Sequence, residues 1–175
     1  MVESRVILQT ERLVLREMVQ QDLDFLASLL ADPEVMRFYP KCYSREEAQL
    51  WLNRQRQRYF YHGFGLWLVV DRESGEPVGQ VGLLLQDVDD RFETEVGYLI
   101  HRPFWRRGYA AEAARGVLTF AQQVKQFSRV ISLVRPENVP SQGVARKLGA
   151  TIEKEIDFRG LRHYVFVHAA VPAGS

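Results

Sequence analysis

Residues 93–134 constrain the fold more than any other stretch. They run from an alternating strand pattern (ETEVGYLI, 93–100) through an arginine-rich loop (102–107) to an alanine-rich stretch (108–125) and a short apolar run (129–134). In the alanine-rich stretch Ala110, Ala114, Val117, Leu118 and Ala121 recur at helical spacing. Strand, helix, strand in that order is a crossover, and a crossover makes its two strands parallel neighbours.

The flanking segments add antiparallel strands. Residues 11–17 (ERLVLRE) alternate and read as a strand, and residues 22–30 carry a helical stripe ended by Asp32-Pro33. Ser44 followed by Glu47 is a capping-box pattern that opens a second helix to about Phe60, with Gly63 and Gly65 behind it. Residues 66–72 and 77–86 flank the hairpin signal Ser74-Gly75-Glu76. A short helix is predicted over 141–148, ended by Gly149, and strands over 151–157 and 161–168. The reading is therefore an α/β chain with one mixed sheet of about seven strands and helices on both faces. It is a single domain over 1–175, with a motif-bearing core of 10–169 and a loose tail at 170–175.

Composition removes several functions. With 23 Lys and Arg against 22 Asp and Glu, the chain lacks the basic excess of a non-specific nucleic-acid binder. One cysteine, Cys42, permits no intrachain disulfide and no thiolate cage, which favours a reducing compartment. The N-terminus is broken by charges and no apolar window is long enough to span a bilayer, so the expectation is a cytoplasmic protein with no membrane partner. The four histidines are scattered, so no metal is expected.

The loop HRPFWRRGYAAEAA (101–114) carries the chemical signal. A helix N-terminus presents unpaired N–H groups and partial positive charge to an anion. Gly108 lets the backbone come close, Ala110 and Ala111 keep the first turn small, and Arg102, Arg106 and Arg107 supply charge-assisted contacts. A solvated arginine cluster at a glycine helix start is the other reading, and composition alone leaves both open. Competing motifs fail. There is no Walker loop and no serine-hydrolase elbow, and Gly63-Phe64-Gly65 precedes a strand rather than a helix. Gly79 and Gly82 lie within a strand and read as a bulge or close packing.

The chain resembles the GNAT N-acetyltransferase superfamily and, within it, the ribosomal-protein-alanine N-acetyltransferase-like (RimJ/RimL-type) branch. Four segments carry the resemblance: residues 10–16 (TERLVLR), residues 32–36 (DPEVM), Glu95-Val96-Gly97-Tyr98 with 105–113 (WRRGYAAEA), and residues 138–141 (NVPS) running to 147–150 (KLGA). Trp105 stands where the general superfamily loop begins with Gln or Arg, which removes one side-chain donor.

The resemblance implies acetyl-CoA as acyl donor and a primary amine as acceptor, with direct attack through a tetrahedral intermediate. It implies that the pyrophosphate rests on N–H groups from Arg106 through Gly108 and Tyr109 to Ala111, with Arg102 and Arg107 near the outer phosphates. The pantetheine arm would lie against Tyr98, Leu99 and Ile100, where two central strands splay. An N–H near Leu99 or Ile100 would hold the thioester oxygen. An amine near its reference pKa is mostly protonated at neutral pH, so a base is needed. Glu95 matches that position, Glu93 shares its face, and Ser141 would hydrogen-bond the departing sulfur beside Asn138. Glu95 also reads as a positioning carboxylate or a surface strand residue. Asn138 and Ser141 also read as helix caps. Tyr98 and Tyr109 read as packing residues rather than acid catalysts. Phe38 and Tyr39 are candidates for the acceptor pocket, and residues 30–45 and 157–163 for acceptor specificity. A homodimer is the family-level expectation. A longer acyl donor, or a CoA-binding module without turnover, are the competing functions.

Overall fold

In the computed structural model, residues 3–170 are described, and they open with strands β1 (Val6–Gln9) and β2 (Leu13–Arg16). Leu13 and Leu15 point into the core, as the alternation requires. Helix α1 (Leu23–Ala31) stops at Asp32, whose extended backbone (φ −75°, ψ 115°) is what a following proline demands. Helix α2 (Arg45–His62) has the predicted capping box. The Ser44 hydroxyl accepts from the Glu47 N–H, and the Glu47 carboxylate accepts from the Ser44 N–H.

Three strands follow, β3 (Leu66–Asp71), β4 (Pro77–Val88) and β5 (Arg91–Ile100). The β4–β5 hairpin turns on Asp89 and Asp90, both at positive φ (50° and 60°), a conformation that Asp tolerates. Helix α3 (Tyr109–Thr119) continues into a wider π turn, Phe120–Val124. Strand β6 (Ile131–Val134), helix α4 (Val139–Lys147) and strands β7 (Thr151–Phe158) and β8 (Leu161–Val167) complete the chain.

The sheet order is β1-β2-β3-β4-β5-β6-β8-β7, and β5–β6 is its parallel pair. Helix α3 covers one face, packing Ala113, Ala114, Val117 and Leu118 against Leu15, Trp67, Val81 and Val96. Helices α1 and α2 cover the other, with Leu26, Leu30 and Leu52 against Leu66 and Leu68. Both faces are shielded, so the middle of the sheet is dry and polar groups there must find partners.

Two expectations change. The sheet has eight strands rather than about seven, because residues 6–9 pair with β2 as an edge strand; that strand is short and half-exposed, so its alternation is weak. The helix predicted to reach residue 125 loses α geometry at Phe120, whose ring packs edge-on against Trp67 at 5.2 Å. Of the predicted tail, residues 171–175 lie outside the described residues. Among the described residues, no helix is long and apolar enough to cross a membrane.

Candidate active site

The site is built where β5 leaves β6. Strand β5 pairs with β4 from Arg91 to Ile100 but meets β6 at one register, Glu95 opposite Ile131. Side chains then take over from the ladder. The Ser132 hydroxyl donates to the Val96 carbonyl at 3.0 Å, and the Leu133 N–H donates to Glu95 Oε2 at 3.2 Å. Beyond them the edge of residues 97–100 has no strand partner on that side among the described residues. His168 Nε2 stands 2.8 Å from Ser132 Oγ. A neutral His168 ring meets the serine through Nε2, and among the described residues its Nδ1 is buried without a partner. Burial lowers the His168 pKa to about 4, consistent with that neutral ring.

The arginine-rich loop lies at the C-terminal end of β5. Gly108 is the N-cap of α3 at φ 77°, a conformation that favours glycine. The first backbone bond of the helix runs from the Glu112 N–H to the Gly108 carbonyl. The N–H groups of Tyr109, Ala110 and Ala111 therefore have no partner inside the helix. Arg106, Arg107 and Gly108 are exposed around them. Trp105 donates its indole N–H to the Ile100 carbonyl at 2.7 Å, so the departure from the superfamily loop serves to pin the loop to β5.

A second set of residues fixes this loop from the other end of the chain. Glu112 accepts from Arg12 Nε at 2.7 Å, from the Arg12 N–H at 2.9 Å and from the Thr10 hydroxyl. Arg12 also donates to the Arg107 carbonyl at 2.8 Å and lies 4.4 Å over the Tyr109 ring, whose hydroxyl donates to Asp71. The 10–16 segment is thus both a strand and a clamp on α3, a role that reading it as a strand missed. The available signal was Glu112 itself, a carboxylate set among alanines.

On the α4 side, Asn138 caps the helix, its side-chain oxygen accepting from the Ser141 N–H at 3.2 Å. The Ser141 hydroxyl lies within hydrogen-bonding reach of the Tyr98 hydroxyl. Tyr98 crosses from β5 and donates to the Ser141 carbonyl at 2.9 Å; burial pushes its pKa up to about 12. Tyr98, Asn138 and Ser141 therefore converge at the open edge of β5.

Glu95 points toward the α2 face and is 9% exposed, so it is no surface residue. Gln86 Nε2 donates to its Oε1 at 3.0 Å. Burial pushes the carboxyl above the usual range, against the hydrogen bonds from Gln86 and Leu133 and the charges of Arg159 and Arg58. Tyr39 keeps 40% of its surface in solvent, yet desolvation of its hydroxyl and the Glu95 charge raise its pKa. The Phe38 carbonyl accepts from Arg135 at 3.4 Å. Tyr39 thus lies in the electrostatic reach of Glu95.

Two predicted site residues are committed elsewhere. Arg102 pairs with Asp32 at 2.9 Å and so ties the loop to the end of α1. Glu93 pairs with Arg129 at 3.0 Å, and Arg129 also holds Glu153 at 2.8 Å. Among the described residues, no group of three or more His, Cys, Asp or Glu side chains could hold a metal ion.

The acetyltransferase (GNAT) domain family matches residues 12–151. The chain is 33% identical over 156 residues to YkkB of Bacillus subtilis (strain 168), covering 89% of this chain and 91% of the other. It is 30% identical over 144 residues to the uncharacterized N-acetyltransferase p20 of Bacillus licheniformis, covering 77% and 76%. The structure of RimL, a ribosomal α-N-protein acetyltransferase in complex with coenzyme A, superposes with a TM-score of 0.75 at 18% identity, covering 94% of this chain and 96% of the other. At that identity the likeness is one of fold.

Proposed function

The chain belongs to the GNAT acetyltransferase family, and from that premise we propose that it transfers the acetyl group of acetyl-CoA to a primary amine, either a protein N-terminus or a small molecule. The observation that carries the reading is the edge of β5, left open after a single pairing with β6 and leading directly to the free N–H groups of α3. Such an edge accepts an extended amide chain, and such a helix end accepts a pyrophosphate. The residues fit coenzyme A on both counts.

Acetyl-CoA supplies an acyl group activated as a thioester. The chain's part is binding and proton transfer. N–H groups from Arg106 to Ala111 hold the anionic end, helped by Arg107 and Arg106, with Arg102 bracing the loop through Asp32. Tyr98, Leu99 and Ile100 line the arm, and an N–H there holds the thioester oxygen as it gains charge. Attack is direct, through a tetrahedral intermediate. Glu95 takes a proton from the acceptor's ammonium, directly or through water, and so frees the lone pair that attacks. Its raised pKa moves it closer to the working pH, where a general base is most effective. The Ser141 hydroxyl, beside the Tyr98 hydroxyl, donates to the sulfur as the C–S bond breaks. We take the compartment to be the cytoplasm, a reading supported by the single exposed cysteine.

Thiol release from acetyl-CoA over a panel of amines tests the proposal, together with CoA binding by the wild type and Gly108→Glu. The expected result is amine-dependent thiol release, with CoA binding lost in the variant. CoA binding without thiol release for any amine would contradict transfer, and unchanged affinity in Gly108→Glu would remove the loop from the site.

A further inference from the structure

The α2 face of the site carries an uneven set of charges. Of the two β5 carboxylates on this face, Glu93 is held by Arg129, which leaves Glu95. Arg159, at the tip of the β7–β8 hairpin, donates to Gln86 Oε1 at 3.3 Å, and the other end of the same amide donates to Glu95 at 3.0 Å. Arg58 projects from α2, half-buried, and donates to Gln55 at 3.2 Å. Neither arginine makes an ion pair among the described residues.

We infer that the acceptor is a small amine bearing a carboxylate one or two carbons from its nitrogen, with Glu95 facing the ammonium and Arg159, backed by Arg58, binding the carboxylate. The inference rests on the acetyl-transfer reading and narrows its acceptor. Two guanidiniums beside one carboxylate leave an excess of positive charge. A polyamine or an aminoglycoside would bring more positive charge into it, and a zwitterion neutralises it. Guanidinium also matches carboxylate in shape, offering two parallel N–H donors. Spacing supports the same class. One amide group, that of Gln86, separates the anionic pole from the cationic one, so the ligand's own charges must be equally close, as they are in an amino acid. Burial, together with the charges of Arg54 and Arg159, lowers the Arg58 pKa, against the opposing charge of Glu95.

The test compares free amino acids, their C-terminal amides, the matching decarboxylated amines and short peptides with an acidic first residue. Thiol release gives kcat/KM for each, and a thermal shift gives binding without turnover. The expected result is a preference of about tenfold or more for the free amino acid over its amide, the scale of a hydrogen bond to a charged group. Arg159→Asn should remove that preference by raising KM for the amino acid while KM for acetyl-CoA stays unchanged. Asn tolerates the positive φ of 53° at this turn, so the fold is expected to hold. Arg159→Lys should restore part of the preference. Amides or decarboxylated amines that react as well as amino acids would overturn the inference and leave acetyl transfer standing. Peptides that react while free amino acids neither react nor bind would also overturn it. Amino acids that raise the melting temperature through Arg159, with no amine acetylated, would sustain the carboxylate site at Arg159 but sink the transfer reading and, with it, the amino acid's role as acceptor.

Discussion

Strand β5 has two neighbours and meets them differently. Against β4 it pairs at ten registers, and against β6 at one. The β4 side is closed by its backbone ladder and by close approach; a Cβ at Gly79 would lie 2.3 Å from the Leu99 carbonyl oxygen. The β6 side is held by Ser132, His168 and the Glu95 carboxylate, side chains that do the work of a ladder. The difference teaches how a sheet can open a polar channel in its middle without losing cohesion. Backbone pairing continues on one edge of the central strand, and the other edge is released only after buried side chains have satisfied the first freed groups.

The largest expected effect lies on the open side. Glu95→Gln should lower kcat by about 10²–10⁴-fold, the usual scale for a general base. CoA affinity should change far less. Steady-state kinetics checks both, and the deficit should narrow at high pH, where more acceptor amine is already neutral. Wild-type rates at neutral pH would reduce Glu95 to a strut between β5 and β6.

A pH titration probes the same seam. The pKa of His168 is depressed on folding, so its contribution to stability is full above the unfolded value of about 6.5. It is lost as pH falls from there through about 4. The loss amounts to about 3 kcal/mol, at 1.36 kcal/mol per pKa unit. Denaturation of wild type and His168→Gln across that window should give a flatter profile for the variant. Equal slopes would mean that the ring does not hold the seam.

The seam on the far side of β4, against β3, lies away from the open edge and should respond in stability alone. Gly82→Ala forces a methyl against the Gly65 backbone and should cost about 1–3 kcal/mol, with kcat per folded molecule unchanged. Smallest are the paired effects at α4. Asn138→Ala removes the cap and should cost about 1 kcal/mol of stability. Ser141→Ala should slow turnover with the melting temperature unchanged. A Ser141→Ala that melts early and turns over normally would exchange the two roles.

What was legible in the sequence was local. Ser44 and Glu47 are three residues apart and declared their helix, and Asp32-Pro33 declared the end of another. The loop of residues 101–114 was legible because arginines, glycine and alanines occur together there. Illegible were partners distant along the chain. Thr10 and Arg12 meet Glu112 across about a hundred residues, and neither the Arg102–Asp32 nor the Glu93–Arg129 pair has any local pattern. Charge alone marked Arg102 and Glu93 as available to ligands, and tertiary pairing occupied them. Glu95 was readable as a candidate from its place on the strand. Its burial and its wedge against Leu133 needed the crossover folded.

Amide hydrogen exchange with and without CoA tests the central claim most directly. The open edge and the helix end are expected to bind as one surface. CoA should therefore slow exchange at residues 106–111 and at the amides of residues 97–100 that turn away from β4, while the hairpin tip around Asp89 and Asp90 exchanges as before. Saturating CoA binding that leaves both segments unprotected, or that protects the loop and not the edge, would contradict the account.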